Sequence, residues 1–411
     1  MTLLKTINVQ SSDSPSVDAF SRQRVSQLTT LCDLKLHFDA IPLLIDQVQN
    51  ATGATTYNSG ESSVTLSTSA SGDYAIAQTK QKYLYQSGES SLIFQTFYNF
   101  HVQTNIEKKI GYFSSSTTAP YNTNYDGIIL VSNYYNGVSH DGKISLQIWR
   151  NGTQIGYVTQ DQWNKDKMDG TGDSKITIDW TKNQILKIDF QFLGVGRVRV
   201  GFDINGLIYE VHEFNHANAI QKVYMVNSAQ SLRWGIRQTG STGSGTFTFI
   251  CATVNSEGSL NSIGMTGSAN TGSVAIAGNS VGTTYALLGI RLKSTRLAAI
   301  VDLIDASILA NTSDQYYVSL ILNPTVAGTF TYAGVTNYSV DVATGASTNT
   351  VTGGTTLISK ASQNTEISSL LLGGALKIGS TIAGVADTLV VCVTPLSANI
   401  NFFASINWLE C

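Results

Sequence analysis

Across residues 183–214 apolar and polar residues take turns along the chain, and that rhythm leaves few folds open. Leu186, Ile188, Phe190 and Phe192 alternate with Lys187, Asp189 and Gln191. A period of two is that of a strand with one face in a core. After Gly194 and Gly196 the pattern resumes, with Val198, Val200, Phe202 and Ile204 set against Arg197, Arg199 and Asp203. Asn205-Gly206 follows, two residues that tolerate the positive φ of a type I′ turn, and Leu207, Tyr209 and Val211 return in phase. Three consecutive antiparallel strands predict an all-β fold.

The composition agrees. Only 13% of the 411 residues are charged, there are 36 glycines and 5 prolines, and Ser, Thr and Asn are abundant. Those three compete with a helical backbone for its hydrogen bonds and suit short strands joined by polar turns. A net charge of -3 and a pI near 5.9 leave no basic footprint for nucleic acid. No run of about 18 apolar residues offers a membrane span. Cys32, Cys251, Cys392 and Cys411 are too scattered for a disulfide framework or a zinc site, and Cys411 reads as a free thiol. The N-terminus has no long apolar segment of signal-peptide type, so synthesis in a cytoplasm without export is expected.

Three regions follow from the texture of the chain. Residues 1–45 read as an N-terminal docking arm, polar and turn-prone over 11–17, with Arg22, Arg24 and Lys35 giving positive charge. Such an arm becomes ordered when something holds it, here a neighbouring subunit or partner. Residues 46–258 carry about a dozen short alternating segments, with Asn151-Gly152 a second hairpin signal. This is the pattern of a larger jelly-roll-like sandwich. Residues 259–411 have few charges and much Gly, Ser, Thr and Ala, and read as a smaller C-terminal β-sandwich. Residues 297–309 and 367–372, apolar enough for either state, are expected as strands from their context.

Chemistry-bearing patterns are sparse. Glu210 and Glu213 flank His212 in YEVHEF, the nearest approach to the paired carboxylates of glycoside hydrolysis. In a strand they point to opposite faces, while Glu210 and His212 share the solvated one. His212-Glu-Phe-Asn-His216 matches H-E-x-x-H, but that motif gathers zinc only on a helix, and a strand sends the two imidazoles apart. Asp161, Asp166, Asp169 and Asp173 crowd around Gly170-Thr-Gly172 without EF-hand spacing, which reads as a solvated turn. No nucleophile elbow or phosphate loop occurs. Trp149, Trp163, Trp180, Trp234 and Trp408 could form a sugar-stacking platform, though most are expected in cores and interfaces. The expectation is therefore a protein without catalytic residues, metal or cofactor.

The segment TGDSKITIDWTKNQILKIDFQFLGVGRVRVGFDINGLIYEVHEFNHAN resembles a family of virion-associated proteins of tailed bacteriophages with no assigned catalysis. The likeness extends to DAFSRQRVSQLTTLCDLK and to the closing INWLE. At the level of fold the sandwich is similar to concanavalin-type and laminin-G-like modules. The resemblance implies a structural component of a virion, in capsid decoration, tail or fibre. It would act through subunit contacts in a symmetric homo-oligomer such as a trimer, alongside other virion proteins. The alternative is a receptor- or carbohydrate-binding adhesin of the virion that recognises a host-surface glycan.

Overall fold

The computed structural model describes residues 17–20, 24, 27–50, 52–258, 263–363, 368–371, 377–397 and 399–411. Among them there is no α-helix, and the one helical turn is the 3-10 segment Gln160–Gln162. The fold is all-β, built of β-sandwich sheets. The chain divides into two compact units: one takes Tyr83–Asn261 with the chain up to Thr79, the other Lys80–Lys82 with Ser262–Cys411.

The first unit holds β1 (Thr29–Lys35), β2 (Ile45–Gln49), β3 (Ala54–Asn58), β4 (Ser63–Thr68), β5 (Tyr74–Thr79), β6 (Ser91–Tyr98), β7 (Ile106–Ser115), β8 (Asn124–Ser132), β9 (Ile144–Arg150), β10 (Thr153–Thr159), β11 (Gln184–Phe190), β12 (Val198–Ile204), β13 (Leu207–Phe214), β14 (Leu232–Gln238) and β15 (Gly245–Ser256). An eight-stranded sheet runs β13-β12-β11-β6-β15-β4-β3, with β1 also on β15. A seven-stranded sheet runs β10-β9-β8-β7-β14-β5-β2. Alternation buries Ile93, Phe97, Leu186, Ile188, Val200 and Phe249 from the first against Ile110, Leu130, Leu146 and Trp234 from the second. The Trp234 and Phe249 rings stack at 4.3 Å and 9°. Each such fully buried side chain contributes about 1.5–3 kcal/mol relative to leaving it in water.

Both expected hairpins form. Asn205 and Gly206 stand at φ 57 and 82°, Asn151 and Gly152 at 44 and 78°, so all four residues occupy the left-handed region that a type I′ turn needs. The segment read as an arm differs from expectation. Its residues 29–35 are β1, a strand of the larger sandwich itself, and the described residues upstream lie on the same unit. Arg199 and Arg197 donate to the carbonyls of Val17 and Ala19 at 2.6 and 3.0 Å. Arg24 ion-pairs with Asp189 and Glu257. For these residues the docking surface is the chain's own sheet. Residues 11–16 and Arg22 lie outside the described residues.

The second unit has its own core. Ile400–Glu410 pairs with Met265–Asn270, Ile276–Gly278 and Val301–Ala310 in a five-stranded sheet. Tyr285–Leu292, Gln315–Leu322 and Thr388–Pro395 lie in a six-stranded one. Leu288, Ile290, Leu303, Tyr316, Val391, Phe402 and Trp408 are buried together. The strand expected over 297–309 is Val301–Ala310, after a turn, and Ser368–Leu371 is a strand within 367–372, whose two end residues lie outside the described residues.

Candidate functional site

Strand alternation places Glu107, Lys109 and Phe113 of β7, Arg233 and Arg237 of β14, and Tyr74, Ile76 and Gln78 of β5 on the outer face of the seven-stranded sheet, away from the core. The register brings them into rows. Arg233 sits between Gly111 and Gln78, Gly235 between Lys109 and Ile76, and Arg237 between Glu107 and Tyr74. The connection from β7 to β8 folds over this face and closes one side of a small cleft of about 30 Å³. Its tip carries Tyr121, at φ 57°, a left-handed conformation that costs a non-glycine residue about 1–2 kcal/mol. Held there, the Tyr121 ring meets Tyr74 edge to face at 5.9 Å. The two tyrosines form an aromatic wall over a charged floor.

The floor is tightly bonded. Glu107 accepts from Arg237 Nε at 2.5 Å and from the Tyr135 amide at 2.8 Å, with Lys109 Nζ at 3.3 Å. Lys109 also donates to the Asn122 carbonyl and to Asn124 Oδ1 at 3.2 and 3.1 Å, which ties the covering loop down. Arg233 donates to Gln78 Oε1 and, at 2.7 Å, to the Tyr121 carbonyl, and its guanidinium lies 5.8 Å from the Phe113 ring centroid. Burial would raise the Glu107 carboxyl, but Lys109 and Arg237 hold it below the usual range. Burial pushes Lys109 down to about 8 and Arg233 down to about 9. Beside the cleft, Phe113, Ile129 and Val131 form an apolar patch roofed by Tyr134 and Trp149. The face thus offers aromatic surface, amide and carbonyl groups and fixed positive charge within one cleft.

The motif candidates fall elsewhere, and β13 corrects how they were read. Val200 pairs with His212 but Gly201 with Glu210, so Val211 is an extra residue in a β-bulge. The pleat shifts by one at that point. His212 comes to the core side opposite Val200 and is buried, where an unbroken strand would have left it solvated. Burial pushes it down to about 4, and its Nδ1 accepts the Asn164 amide at 3.2 Å. Glu210 and Glu213, expected on opposite faces, share the outer one. Neither is a free carboxylate. Lys187 pairs with Glu210 across Gly201, while Lys165 and Arg197 stand 3.5 and 3.6 Å from Glu213.

His216 Nδ1 lies 2.7 Å from the Gly196 carbonyl and its ring stacks on Tyr224 at 4.4 Å. His212 instead packs edge to face on Phe214 at 4.4 Å. Among the described residues no group of three or more His, Cys, Asp or Glu could hold a metal ion. Asp166 organises its loop by accepting the Met168 and Ser174 amides at 2.8 and 2.7 Å. Asp161 makes a surface pair with Lys143. Trp163, Trp234 and Trp408 are buried, and Trp149 and Trp180 are partly so.

The cleft residues were missed in the sequence because charges in strands read as solvated faces. The available signal was Arg233, Gly235 and Arg237, three residues on one face of a strand whose other face, Leu232, Trp234 and Ile236, is wholly apolar.

No protein-family model matches the chain, and no curated protein sequence does. Among solved structures it is similar to the legume lectin-like domain from Entamoeba histolytica, at 11% identity over 56% of this chain and 98% of that one, with a TM-score of 0.34. It is also similar to an endo-beta-1,4-glucuronan lyase from the fungus Trichoderma reesei, at 11% identity over 55% and 95%, with a TM-score of 0.36. For the Ca2+/Man3GlcNAc-bound exoplasmic/lumenal domain of VIP36 the values are 12%, 56%, 89% and 0.34. Likeness at this level carries no inference about ligand or activity.

Proposed function

We propose that the chain is a carbohydrate-binding adhesin of a tailed-phage virion, a binder and not an enzyme, with its ligand face on the seven-stranded sheet. The observation that carries this reading is the Tyr74–Tyr121 wall above a polar floor. Sugar rings present apolar C–H faces and polar hydroxyl edges, and such a cleft meets both. One carboxylate, Glu107, lines the cleft, and it is held by Arg237 and Lys109, so the two-carboxylate geometry of glycoside hydrolysis has no counterpart among the lining residues. The virion assignment rests on the sequence resemblance. A glycan array with the full chain tests the reading: one glycan class should bind, and Tyr121→Ala should weaken it at least tenfold. No bound glycan, or undiminished binding by a folded Tyr121→Ala variant, would sink it.

A structural role through subunit contacts is the second reading, favoured by large apolar side chains that stand out from the second unit. Ile263 is 80% exposed and Val274 76%. A symmetric homo-oligomer, such as a trimer, would cover them. Sedimentation at micromolar concentration decides it, and a monomer that also fails to bind phage particles would remove it.

A further inference from the structure

The charges of the cleft do not balance, and the imbalance sits on one residue. Lys109, Arg233 and Arg237 line it with a single carboxylate, Glu107. Both Glu107 oxygens are already engaged, Oε2 by Arg237 and Lys109 and Oε1 by the Tyr135 amide. Nothing of Glu107 is left for Arg233. Arg233 makes no ion pair among the described residues, and its hydrogen-bond partners there are the neutral Gln78 amide and the Tyr121 carbonyl. It is nevertheless almost wholly buried, at 3% exposure. Asp46 of β2, opposite Gln78, offsets part of this charge without an ion pair to Arg233. A desolvated guanidinium so weakly compensated is a costly arrangement, and a carboxylate brought to it forms a bidentate, charge-assisted pair.

The surroundings leave room for a flat group. Gly235 lies beside Arg233 on the same face, and a Cβ placed on it would come no nearer than 3.7 Å to the Ile76 side chain, whereas at Gly111, on the other side, a Cβ would stand 2.2 Å from the Ile128 carbonyl oxygen. Beside Arg233 the floor is therefore bare backbone, while Phe113 and Tyr121 bound it. Lys109, one row further along, adds a second positive charge, of which Glu107 offsets only a share divided with Arg237.

We propose that the ligand of this cleft is an acidic saccharide, a uronate-containing glycan whose carboxylate is taken by Arg233. This rests on the glycan-binding reading above and narrows it to a substrate class. The aromatic wall takes the sugar ring, and the buried guanidinium selects the ring that carries a carboxylate.

The test uses the full chain and an array of uronate oligosaccharides of differing linkage, each beside its carboxyl-reduced counterpart, with sulfated oligosaccharides that lack uronate as a further arm. The expected result is binding of at least one uronate oligomer, weakened tenfold or more by carboxyl reduction, together with loss of that preference in Arg233→Lys. Lysine keeps the charge and loses the planar fork. Tryptophan fluorescence reports whether the variant is folded, and if it is not, the comparison on the unaltered protein still decides. Equal affinity for a uronate glycan and its reduced partner would overturn the acidic ligand and leave the glycan reading standing. Equal or tighter binding of the sulfated, uronate-free glycans would overturn the carboxylate assignment. A folded Arg233→Lys protein with an undiminished preference would overturn the role of Arg233. Binding of no glycan at all would remove the glycan reading and this inference with it.

Discussion

Val211 stands opposite no residue of β12, so the strand advances by one position there and His212 turns inward beside Phe214. A neutral imidazole is the form that this burial keeps. The folded state holds the His212 proton less tightly than the unfolded chain, whose histidine titrates near 6.5. Its contribution to stability is thus complete above about pH 6.5 and is lost as pH falls towards 4, because the unfolded chain binds the proton first. Urea unfolding between pH 7 and 4 should show His212→Gln losing less stability on acidification than the unaltered protein, by on the order of 2–3 kcal/mol. Equal losses would place the acid sensitivity elsewhere. The bulge itself was not legible, since valine carries no mark of one. Only Gly201 on the partner strand hinted at it, and counting by twos through residues 207–214 reversed the faces of Glu213 and His212.

At the level of elements, sequence reading was strongest where a local device carried the information. Asn-Gly turns, runs such as 186–192 and 198–204, and the proline after Leu322 and Asn323 mark their elements from within. It was weakest for β1, whose Thr29–Lys35 has no clean alternation and becomes a strand because β15 offers it an edge. The cleft was hidden for a related reason. Alternation says which side chains leave the core, but not that the connection between β7 and β8 bends back over them. One close approach on that face is testable. Gly127 of β8 lies opposite Phe113 at φ 139°, and a Cβ there would stand 2.3 Å from the Phe113 Cβ. Gly127→Ala should therefore destabilise the larger unit by about 1–3 kcal/mol, measured by chemical denaturation, through a forced shift of β7 against β8. An unchanged midpoint would mean that the ladder yields there without cost.

On the scale of the whole molecule, the change of texture near residue 258 has a physical counterpart: each unit buries its own apolar residues, the first around Trp234 and Phe249 and the second around Phe402 and Trp408. Two cores of this kind can melt separately. Scanning calorimetry should resolve two endotherms, and Gly127→Ala should move only one. A single endotherm displaced as a whole would show the units unfolding together. The pairing of β1 with β15 spans most of the first unit, and Thr29 donates to the Gly258 carbonyl 229 residues away. At translation rates of about 5–20 residues per second, β1 waits on the order of ten to fifty seconds after it is made before its partner exists. For that interval Leu34, buried in the finished protein, has no core to enter, and a holdase chaperone or a cooler culture should raise the soluble yield of this chain more than that of a helical protein of equal length.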